Sequence, residues 1–372
     1  MSEDYTYEGL QVDVKGYMAK QRETFKKQSE HVRDYSVFDF NYMPEEPHFR
    51  DEAKDIISSL IRYEKTGIPT NQVIFGSRGS GKTLTIKYLT KILEQESSLR
   101  VIYANVRYYS TSFKILAHFL KTSSRGNSMS ELYERFRAKY PSKTIIILDE
   151  VHLWAPKEKQ RELLYLLSRD AANYLVIMLS NDPRFLSEID QSVKSTLQPE
   201  LIHFQNYDAV EMTSILQARA SLGLSRCESK VCHEISAITV KEANSDVRVG
   251  LKALYYWATH EIKETSHCFE NARKDIYADL VNNLSDTNLL ILRAVSAVED
   301  KFAKKVYRAY REISERVGIT SCSYVHFYNQ LSYLQSLGLI LLLSTKVNRT
   351  YANRISLLFN QEIVAGFFRA RF

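Results

Sequence analysis

An α/β fold with a parallel sheet, followed by a small helical domain and a C-terminal winged helix, is predicted by three observations. Between residues 40 and 206, short continuous apolar strands alternate with helical segments, which is typical of a parallel sheet covered on both faces. Helical periodicity alone follows from 208 to about 283. Three further helical segments and an alternating hairpin come last, in the order of a winged helix.

Length and composition indicate a soluble protein of several domains. At 372 residues the chain is longer than one hydrophobic core usually supports, and its four cysteines are too scattered for a disulfide framework or a zinc site. We assign an N-terminal arm to 1–36, the α/β domain to 37–207, the helical domain to 208–284 and the winged helix to 285–372. No apolar run is long enough for a membrane helix, and the start MSEDYTYEGL lacks a secretory pattern. We therefore expect a cytoplasmic protein that does not bind membranes.

Positive charge is concentrated in the last part of the chain. The formal net charge is +6, and residues 285–372 hold twelve Lys and Arg against six Asp and Glu. The rest of the chain therefore contains equal numbers of basic and acidic residues. A surface that binds a polyanion is therefore expected in the winged helix. In the arm, the basic stretch KGYMAKQRETFKKQ predicts a mobile segment or a loosely docked helix, with an arm that contacts DNA as the alternative.

The nucleotide-binding signal is the segment IFGSRGSGKTL. It matches G-x-x-x-x-G-K-[ST] at every fixed position, after the apolar strand QVIF and before the helical TLTIKYLTKIL. The glycines let backbone N–H groups turn toward phosphates, and the following helix presents its positive N-terminus to them. We expect Lys82 to reach the β- and γ-phosphates of ATP or ADP, and Thr83 to ligate Mg²⁺. The residues predicted to bind the nucleotide here are Gly79, Ser80, Gly81, Lys82, Thr83 and Leu84.

Polar residues near the ends of other elements complete the predicted catalytic site. The strand TIIILD ends in Asp149, which is predicted to ligate Mg²⁺ and to belong to the nucleotide-binding residues. Glu150 comes next and is placed to polarise an attacking water. Asn181 follows YLVIMLS and can sense the γ-phosphate without adding charge; a turn residue is the alternative. Arg248, in NSDVRVGL, lies near a helix start and can fold onto the γ-phosphate; a solvated arginine is the alternative.

The order of these motifs resembles that of the AAA+ ATPases, and more closely that of the archaeal replication initiators, the homologues of the origin recognition complex and of cell division control protein 6. The similarity covers about residues 36–360. It depends on several segments together, which are YMPEEPHFRDEAKDI, YANVRYYSTSFKIL, LSND, VKSTLQPELIHFQNYDA, SDVRVGL and VNRTYANRISL. The resemblance implies an AAA+ P-loop ATPase domain, a helical lid domain and a winged helix that binds double-stranded DNA.

The resemblance also implies roles for individual residues. Tyr207 and Arg219 would flank the nucleotide at the domain junction, and MPEEPHFRDE would pack against the adenine. In VRYYSTSFKILAHFL, the resemblance implies an inserted helix that lies on DNA; an ordinary amphipathic helix with core aromatics is the alternative. The candidates for DNA contact in this segment are Arg107, Tyr108, Tyr109 and Lys114.

Two positions depart from the family pattern. Ser192 stands in DQSVKST where the family often has an arginine that contacts ATP in a neighbouring subunit. We therefore do not expect this chain to complete a partner's site, unless Lys194 or Arg184 substitutes. The wing tip has Asn348 in place of the usual glycine, and asparagine tolerates the left-handed backbone that the turn needs.

The third helical segment of the winged helix is the predicted recognition helix. Phe327, Leu331 and Leu334 fall at i, i+4 and i+7 and predict a buried stripe. The residues left for the exposed N-terminal half, where such a helix meets the major groove, are Ser323, Tyr324, His326 and Gln330. The wing residues suited to phosphate or minor-groove contact are Lys346, Arg349 and Arg354. A winged helix that contacts protein is the alternative.

Together these features predict an origin-recognition protein with weak ATPase activity, in which ATP acts mainly as a slow conformational switch. The winged helix and the inserted helix would grip duplex DNA and help recruit the replicative helicase, with a paralogous initiator as a possible partner subunit. A winged-helix transcription or plasmid regulator that uses the nucleotide as a structural ligand is the alternative. A fast ring-forming motor fits poorly with Ser192.

Overall fold

Five parallel strands form the central sheet in the first half of this computed structural model. The structure describes residues 14–123, 126–155, 158, 161–170, 174–182, 185–347 and 350–372. The strands are β1 (Gln72–Gly76), β2 (Arg100–Asn105), β3 (Thr144–Asp149), β4 (Tyr174–Ser180) and β5 (Glu200–Phe204). Their order across the sheet is β2-β3-β4-β1-β5, so the loops after β1, β3 and β4 meet at one edge. The predicted α/β class with a parallel sheet is confirmed.

Helices cover both faces of this sheet. They are α2 (Ala53–Thr66), α3 (Lys82–Glu96), α4 (Ser112–Leu120), α5 (Met129–Lys139), α6 (Glu162–Arg169), α7 (Phe185–Glu188) and α8 (Gln191–Leu197), after an N-terminal helix α1 (Val14–Gln28). Side chains of a strand point alternately to the two faces. Ile145 and Ile147 of β3 accordingly pack with α2 and α3, whereas Ile146 and Leu148 pack with α4 to α8. Burial on both faces explains why the β3 sequence is apolar without alternation.

The lid consists of the helices α9 (Ala209–Gly223), α10 (Ser229–Glu242), α11 (Val247–Thr259) and α12 (Thr265–Asn282). Its core also contains Val37 and Phe38, which come from the segment after α1. A β-carbon on Gly223 would collide with Val37, so glycine permits this close approach. Helix α1 itself has no buried residue. The described part of the predicted arm, 14–36, therefore contains a largely exposed helix. The chain docks on the lid near the predicted boundary, through a hydrogen bond of 2.7 Å from the Arg33 N–H to the carbonyl of Gly223 and through the two buried residues that follow the arm.

The last part of the chain has three helices, a hairpin and a further helix. These are α13 (Asp286–Ala297), α14 (Ala303–Arg316), α15 (Tyr324–Ser336), β6 (Ile340–Val347), β7 (Thr350–Leu357) and α16 (Gln361–Arg371). The antiparallel pair of β6 and β7 is the predicted wing, and its tip residues Asn348 and Arg349 lie outside the described residues. Helix α16 was not predicted, and it packs against α12 and α13. Within the described part of the chain, none of the helices has the length and apolar character of a membrane span.

The winged helix is attached to the last lid helix by side-chain contacts as well as by the chain itself. The ring of Tyr277 in α12 stacks on Phe359, with 4.9 Å between the ring centroids. Arg273 donates a hydrogen bond of 3.1 Å to the carbonyl of Leu358, and Arg371 donates one of 2.8 Å to the last carbonyl of α12. A movement of α12 is therefore expected to carry the winged helix with it.

Candidate functional site

A cavity of about 980 Å³ lies between the carboxyl edge of the sheet and the lid. Ligands of open α/β sheets bind at this edge, and the volume is within the range of cofactor sites. The segment from Phe40 to His48 contributes to its wall, and it includes the first half of MPEEPHFRDE, for which contact with the adenine stays a prediction. All the residues predicted for nucleotide binding and catalysis line this cavity, namely Gly79, Ser80, Gly81, Lys82, Thr83, Leu84, Asp149, Glu150, Asn181, Tyr207, Arg219 and Arg248.

The phosphate loop connects β1 to α3 and depends on its glycines. Gly79 and Gly81 have φ values of 78° and 90°, in the left-handed region that disfavours other residues. A β-carbon on Gly81 would also collide with the hydroxyl of Tyr207, and one on Gly79 would collide with Asp246. Because Tyr207 and Asp246 lie at or beyond the lid junction, the glycines let the lid approach the loop closely.

Lys82 lies beneath the phosphate loop. Its Nζ donates hydrogen bonds to the carbonyl oxygens of Gly76 (3.0 Å) and Ser77 (2.8 Å). Burial lowers the pKa of Lys82 to about 8, because the charged ammonium loses hydration. A bound phosphate would supply the negative charge that this buried ammonium lacks, which fits the predicted role.

The predicted metal ligands are in contact with each other. The Thr83 hydroxyl donates a hydrogen bond of 3.0 Å to Oδ2 of Asp149, and the Tyr103 hydroxyl donates one of 2.8 Å to the same oxygen. Burial raises the pKa of the Asp149 carboxyl. A hydroxyl and a carboxylate at this spacing offer the hard oxygen ligands that Mg²⁺ prefers, so these residues fit the metal. Tyr103 was missed by the sequence analysis, although it lies on β2 directly beside β3.

Glu150 is held by an arginine that was predicted to contact DNA. Arg107 donates two hydrogen bonds to its carboxylate, Nε to Oε2 at 2.9 Å and Nη2 to Oε1 at 3.0 Å. Burial opposes ionisation of Glu150, but the hydrogen bond and charge of Arg107 lower its pKa overall. In this structure, Arg107 is therefore a partner of the predicted catalytic carboxylate.

Asn181 directly follows β4 and lies beside a half-buried histidine. Its backbone N–H donates to Nδ1 of His152 at 3.3 Å, and its side chain lines the cavity. Burial lowers the pKa of His152 to about 4, which keeps the ring neutral at pH 7. The sequence analysis missed His152, which lies two residues after Glu150.

Lid residues close the other side of the cavity. Arg248, at the start of α11, forms a two-point ion pair with Asp246, which also caps that helix. Arg219 lines the cavity, but its Nη1 and Nη2 donate to the carbonyls of Val37 (3.0 Å) and Tyr42 (3.2 Å). These hydrogen bonds hold the segment that forms this wall of the cavity, and the predicted position of Arg219 beside the nucleotide stays a prediction.

A buried network at the domain junction was not predicted. The guanidinium of Arg50 lies 4.4 Å from the ring centroid of Tyr207. Its nitrogens donate to Glu211 (3.1 Å) and Glu52 (2.9 Å) and to the carbonyl of Gln205. This arginine therefore joins the sheet domain to α9 and positions Tyr207 against the phosphate loop.

The recognition helix exposes a somewhat different set of residues from the predicted one. Phe327, Leu331 and Leu334 are fully buried, as expected. Ser323 caps α15 by accepting from the backbone N–H of His326 (3.3 Å), and the His326 and Gln330 side chains are in contact at 3.2 Å. The residues exposed on the N-terminal half of α15 are Val325 (73% exposed), His326 and Asn329, with Ser323 at the cap; the analysis missed Val325 and Asn329.

Gln330 and Tyr324 were both predicted to be exposed, but both are half-buried. Tyr324 packs against other aromatic residues. Its ring is half-buried, at 4.9 Å from the ring of Tyr307 in α14 and at 5.1 Å from Tyr328, and burial raises its pKa to about 12. Aromatic packing between α14 and α15 thus outweighs the helical position that suggested exposure. The structure also places a basic exposed row on α14 that had not been predicted, formed by Lys304, Lys305, Arg308 and Arg311.

The other residues predicted to contact DNA differ in their exposure to solvent. Tyr108 is 73% exposed and Lys114 is exposed, whereas Tyr109 stacks on His118 at 4.0 Å and packs against the sheet core. Arg354 is exposed on β7. The side chain of Lys346 and the whole of Arg349 lie outside what the structure describes.

Comparison with known proteins finds relatives over most of the chain. Residues 69–189 match the family described as AAA domain. The chain is 31% identical over 339 residues to ORC1-type DNA replication protein 1 of Sulfurisphaera tokodaii, which covers 81% of this chain and 83% of the relative. It is 28% identical over 353 residues to an ORC1-type DNA replication protein of Desulfurococcus amylolyticus, covering 85% and 88%.

Solved structures share the fold over nearly the whole chain. The Aeropyrum pernix ORC1 protein in complex with DNA has a TM-score of 0.70 at 21% identity, covering 92% of this chain and 98% of that chain. The Aeropyrum pernix ORC2 protein, in ADPNP-ADP complexes, has a TM-score of 0.62 at 22% identity, covering 92% and 99%. At these identities the likeness concerns the fold.

Proposed function

The chain belongs to the ORC1-type DNA replication proteins, and from that premise we propose that it is an ATP-controlled initiator that binds double-stranded DNA at replication origins. The observation that carries this proposal is the position of the nucleotide cavity between the sheet and the lid. Because α12 of the lid is attached to the winged helix, a ligand that sets the lid angle also sets the orientation of the winged helix.

The residues around the cavity supply the parts that an ATP site needs. Lys82 would hold the β- and γ-phosphates, and the oxygens of Thr83 and Asp149 would hold Mg²⁺. Bound Mg²⁺ would neutralise phosphate charge. Glu150 would polarise water only after Arg107 releases it, so we expect slow hydrolysis and a switch-like use of ATP.

The DNA surface would combine the exposed start of α15, the basic row on α14 and the wing. Phosphate contacts from Lys and Arg position a protein on DNA, and side chains on the recognition helix reach base edges. Tyr108 and Lys114 would add a second contact from the sheet domain. We further propose that the protein acts in the cytoplasm on chromosomal DNA, helps recruit the replicative helicase and works beside a paralogous initiator.

Footprinting on chromosomal DNA, with ATP and with ADP, tests this proposal. We expect protection of repeated elements at an origin, with a pattern that differs between the two nucleotides. Protection confined to promoters would favour a transcription regulator instead. Lys82→Ala should abolish nucleotide binding and the nucleotide-dependent difference, whereas the control Lys91→Ala, an exposed lysine on the same helix, should leave both unchanged.

A further inference from the structure

Arg78, the third residue of the phosphate loop, lies between two cavities. It lines the nucleotide cavity and also a second cavity of about 450 Å³, enclosed by the sheet edge, the lid and the end of the winged-helix segment α15. Asn181 lines both cavities as well. Arg78 is therefore on the side of the phosphate loop where the predicted γ-phosphate residues meet.

The charge of Arg78 is not paired in this structure. The neighbouring Arg107 is bound to Glu150, and Arg248 is bound to Asp246. Among the described residues, Arg78 has neither a hydrogen bond nor an ion pair, and its Nη1 is buried without a partner. Burial and the charge of Arg248 lower its pKa to about 10, so it remains protonated at neutral pH. Asp246 and Glu150 attract the guanidinium only from beyond ion-pair distance. A half-buried guanidinium with an unpartnered buried nitrogen is costly, which indicates that an anion completes this site.

The resemblance to the archaeal initiators implies a further cation at such a site, an arginine supplied by a neighbouring subunit. Ser192 stands where that arginine is expected, exposed in the first turn of α8, where Asp190 binds its backbone N–H. A site formed between copies of this chain would therefore receive no arginine from that position.

We propose that Arg78 binds the γ-phosphate of this chain's own ATP and supplies in cis the positive charge that Ser192 does not supply in trans. This inference depends on the proposed nucleotide function. Gln335 near the end of α15 and Gly338, two residues after this helix, enclose the second cavity. The DNA backbone is thus a less suitable anion here than the terminal phosphate of a nucleotide.

Equilibrium binding of ATPγS and of ADP to the full-length protein tests the assignment. A hydrogen bond between charged groups contributes about 1.5–3 kcal/mol to a binding free energy. Arg78→Ala should therefore weaken ATPγS binding by about 10- to 100-fold, while the affinity for ADP changes by less than about twofold. Arg78→Lys should give an intermediate loss. The control Arg62→Ala, which removes an exposed arginine of α2, should leave both affinities unchanged.

Thermal unfolding without nucleotide separates this role from a structural one. Because Arg78 lacks a partner in the protein, Arg78→Ala and Arg78→Gln should be no less stable than the wild type when nucleotide is absent. If either is clearly less stable and the ratio of ATPγS to ADP affinity is unchanged, Arg78 is structural and the proposal is overturned. Wild-type protein that binds neither nucleotide would instead contradict the proposed function.

A mixing experiment distinguishes action in cis from action in trans. Arg78→Ala is mixed with an excess of Lys82→Ala, which keeps Arg78 but cannot hold a nucleotide of its own. If Arg78 acts in cis, the ATPase rate of the mixture remains that of Arg78→Ala. Restored turnover would mean that Arg78 serves a neighbouring site, and would overturn the assignment in cis.

Discussion

Replacing Arg107 by alanine should raise the ATPase rate. In the structure both oxygens of the Glu150 carboxylate accept hydrogen bonds from Arg107, at 2.9 and 3.0 Å. The hydrogen bonds and charge of Arg107 lower the pKa of this carboxyl and occupy part of its lone pairs, so it orients and deprotonates a water molecule less well. The rate of hydrolysis should therefore depend on how often this ion pair opens.

The exposure of the pair sets the size of the effect. The Arg107 and Glu150 side chains are 39% and 22% exposed, so solvent screens their attraction. Partly exposed ion pairs contribute at most about 1 kcal/mol, and 1.4 kcal/mol corresponds to about tenfold in an equilibrium. Removal of Arg107 should thus increase kcat by about fivefold.

Phosphate release at saturating Mg-ATP measures this change. Lys114→Ala is the matched control, because it removes a positive charge from the same segment without contacting Glu150, and its kcat should equal that of the wild type. Duplex DNA that competes for Arg107 should raise the kcat of the wild type and leave the kcat of Arg107→Ala unchanged. An unchanged or lower kcat in Arg107→Ala would show that Arg107 does not restrain Glu150.

Three further predictions concern the metal, the half-buried His152 and the wing. Thr83→Val should remove the Mg²⁺-dependent part of the nucleotide affinity while leaving weak binding in EDTA, as measured by fluorescence titration. The pKa of His152 is lowered to about 4 from an ordinary 6.5, so between these values only the unfolded chain binds the proton and stability falls as the pH falls. Between pH 7 and pH 5, the free energy of unfolding in urea should fall by on the order of 1–2 kcal/mol less in His152→Asn than in the wild type. The control His326→Asn, which replaces an exposed histidine, should match the wild type. Arg354→Ala should weaken DNA binding and reduce the slope of log affinity against log salt by about 1, and an unchanged slope would remove Arg354 from the phosphate contacts.

Each feature that could be predicted from the sequence lies within one short stretch of the chain. The phosphate loop, Asp149 with Glu150, and Asn181 each follow an apolar strand, and the rules of parallel sheets bring such strand ends to one edge. Helix α16 carried a signal as well, because Ile363, Val364, Phe367 and Phe368 repeat at helical spacing.

The features that were missed depend on contacts between distant segments. Arg50 binds Glu211 across 161 positions, and no local pattern relates the two. The orientation of Arg107 toward Glu150 arises because β2 pairs with β3 in parallel register. Tyr324 was assigned to the surface from its helical position alone, which could not show that Tyr307 of α14 would cover one side of its ring.

Helix α15 reaches from the proposed DNA surface to the cavity that contains Arg78. Its 13 residues extend over roughly 20 Å, at about 1.5 Å per residue. The first turn presents Val325 and His326 outward, while Gln335 and Ser336 at its far end border the cavity that contains Arg78. A straight helix of this length behaves as a lever, so a small tilt beside the phosphate loop must displace the opposite tip by several ångströms. Contact with the double helix could in this way be adjusted mechanically, without any refolding between the two surfaces.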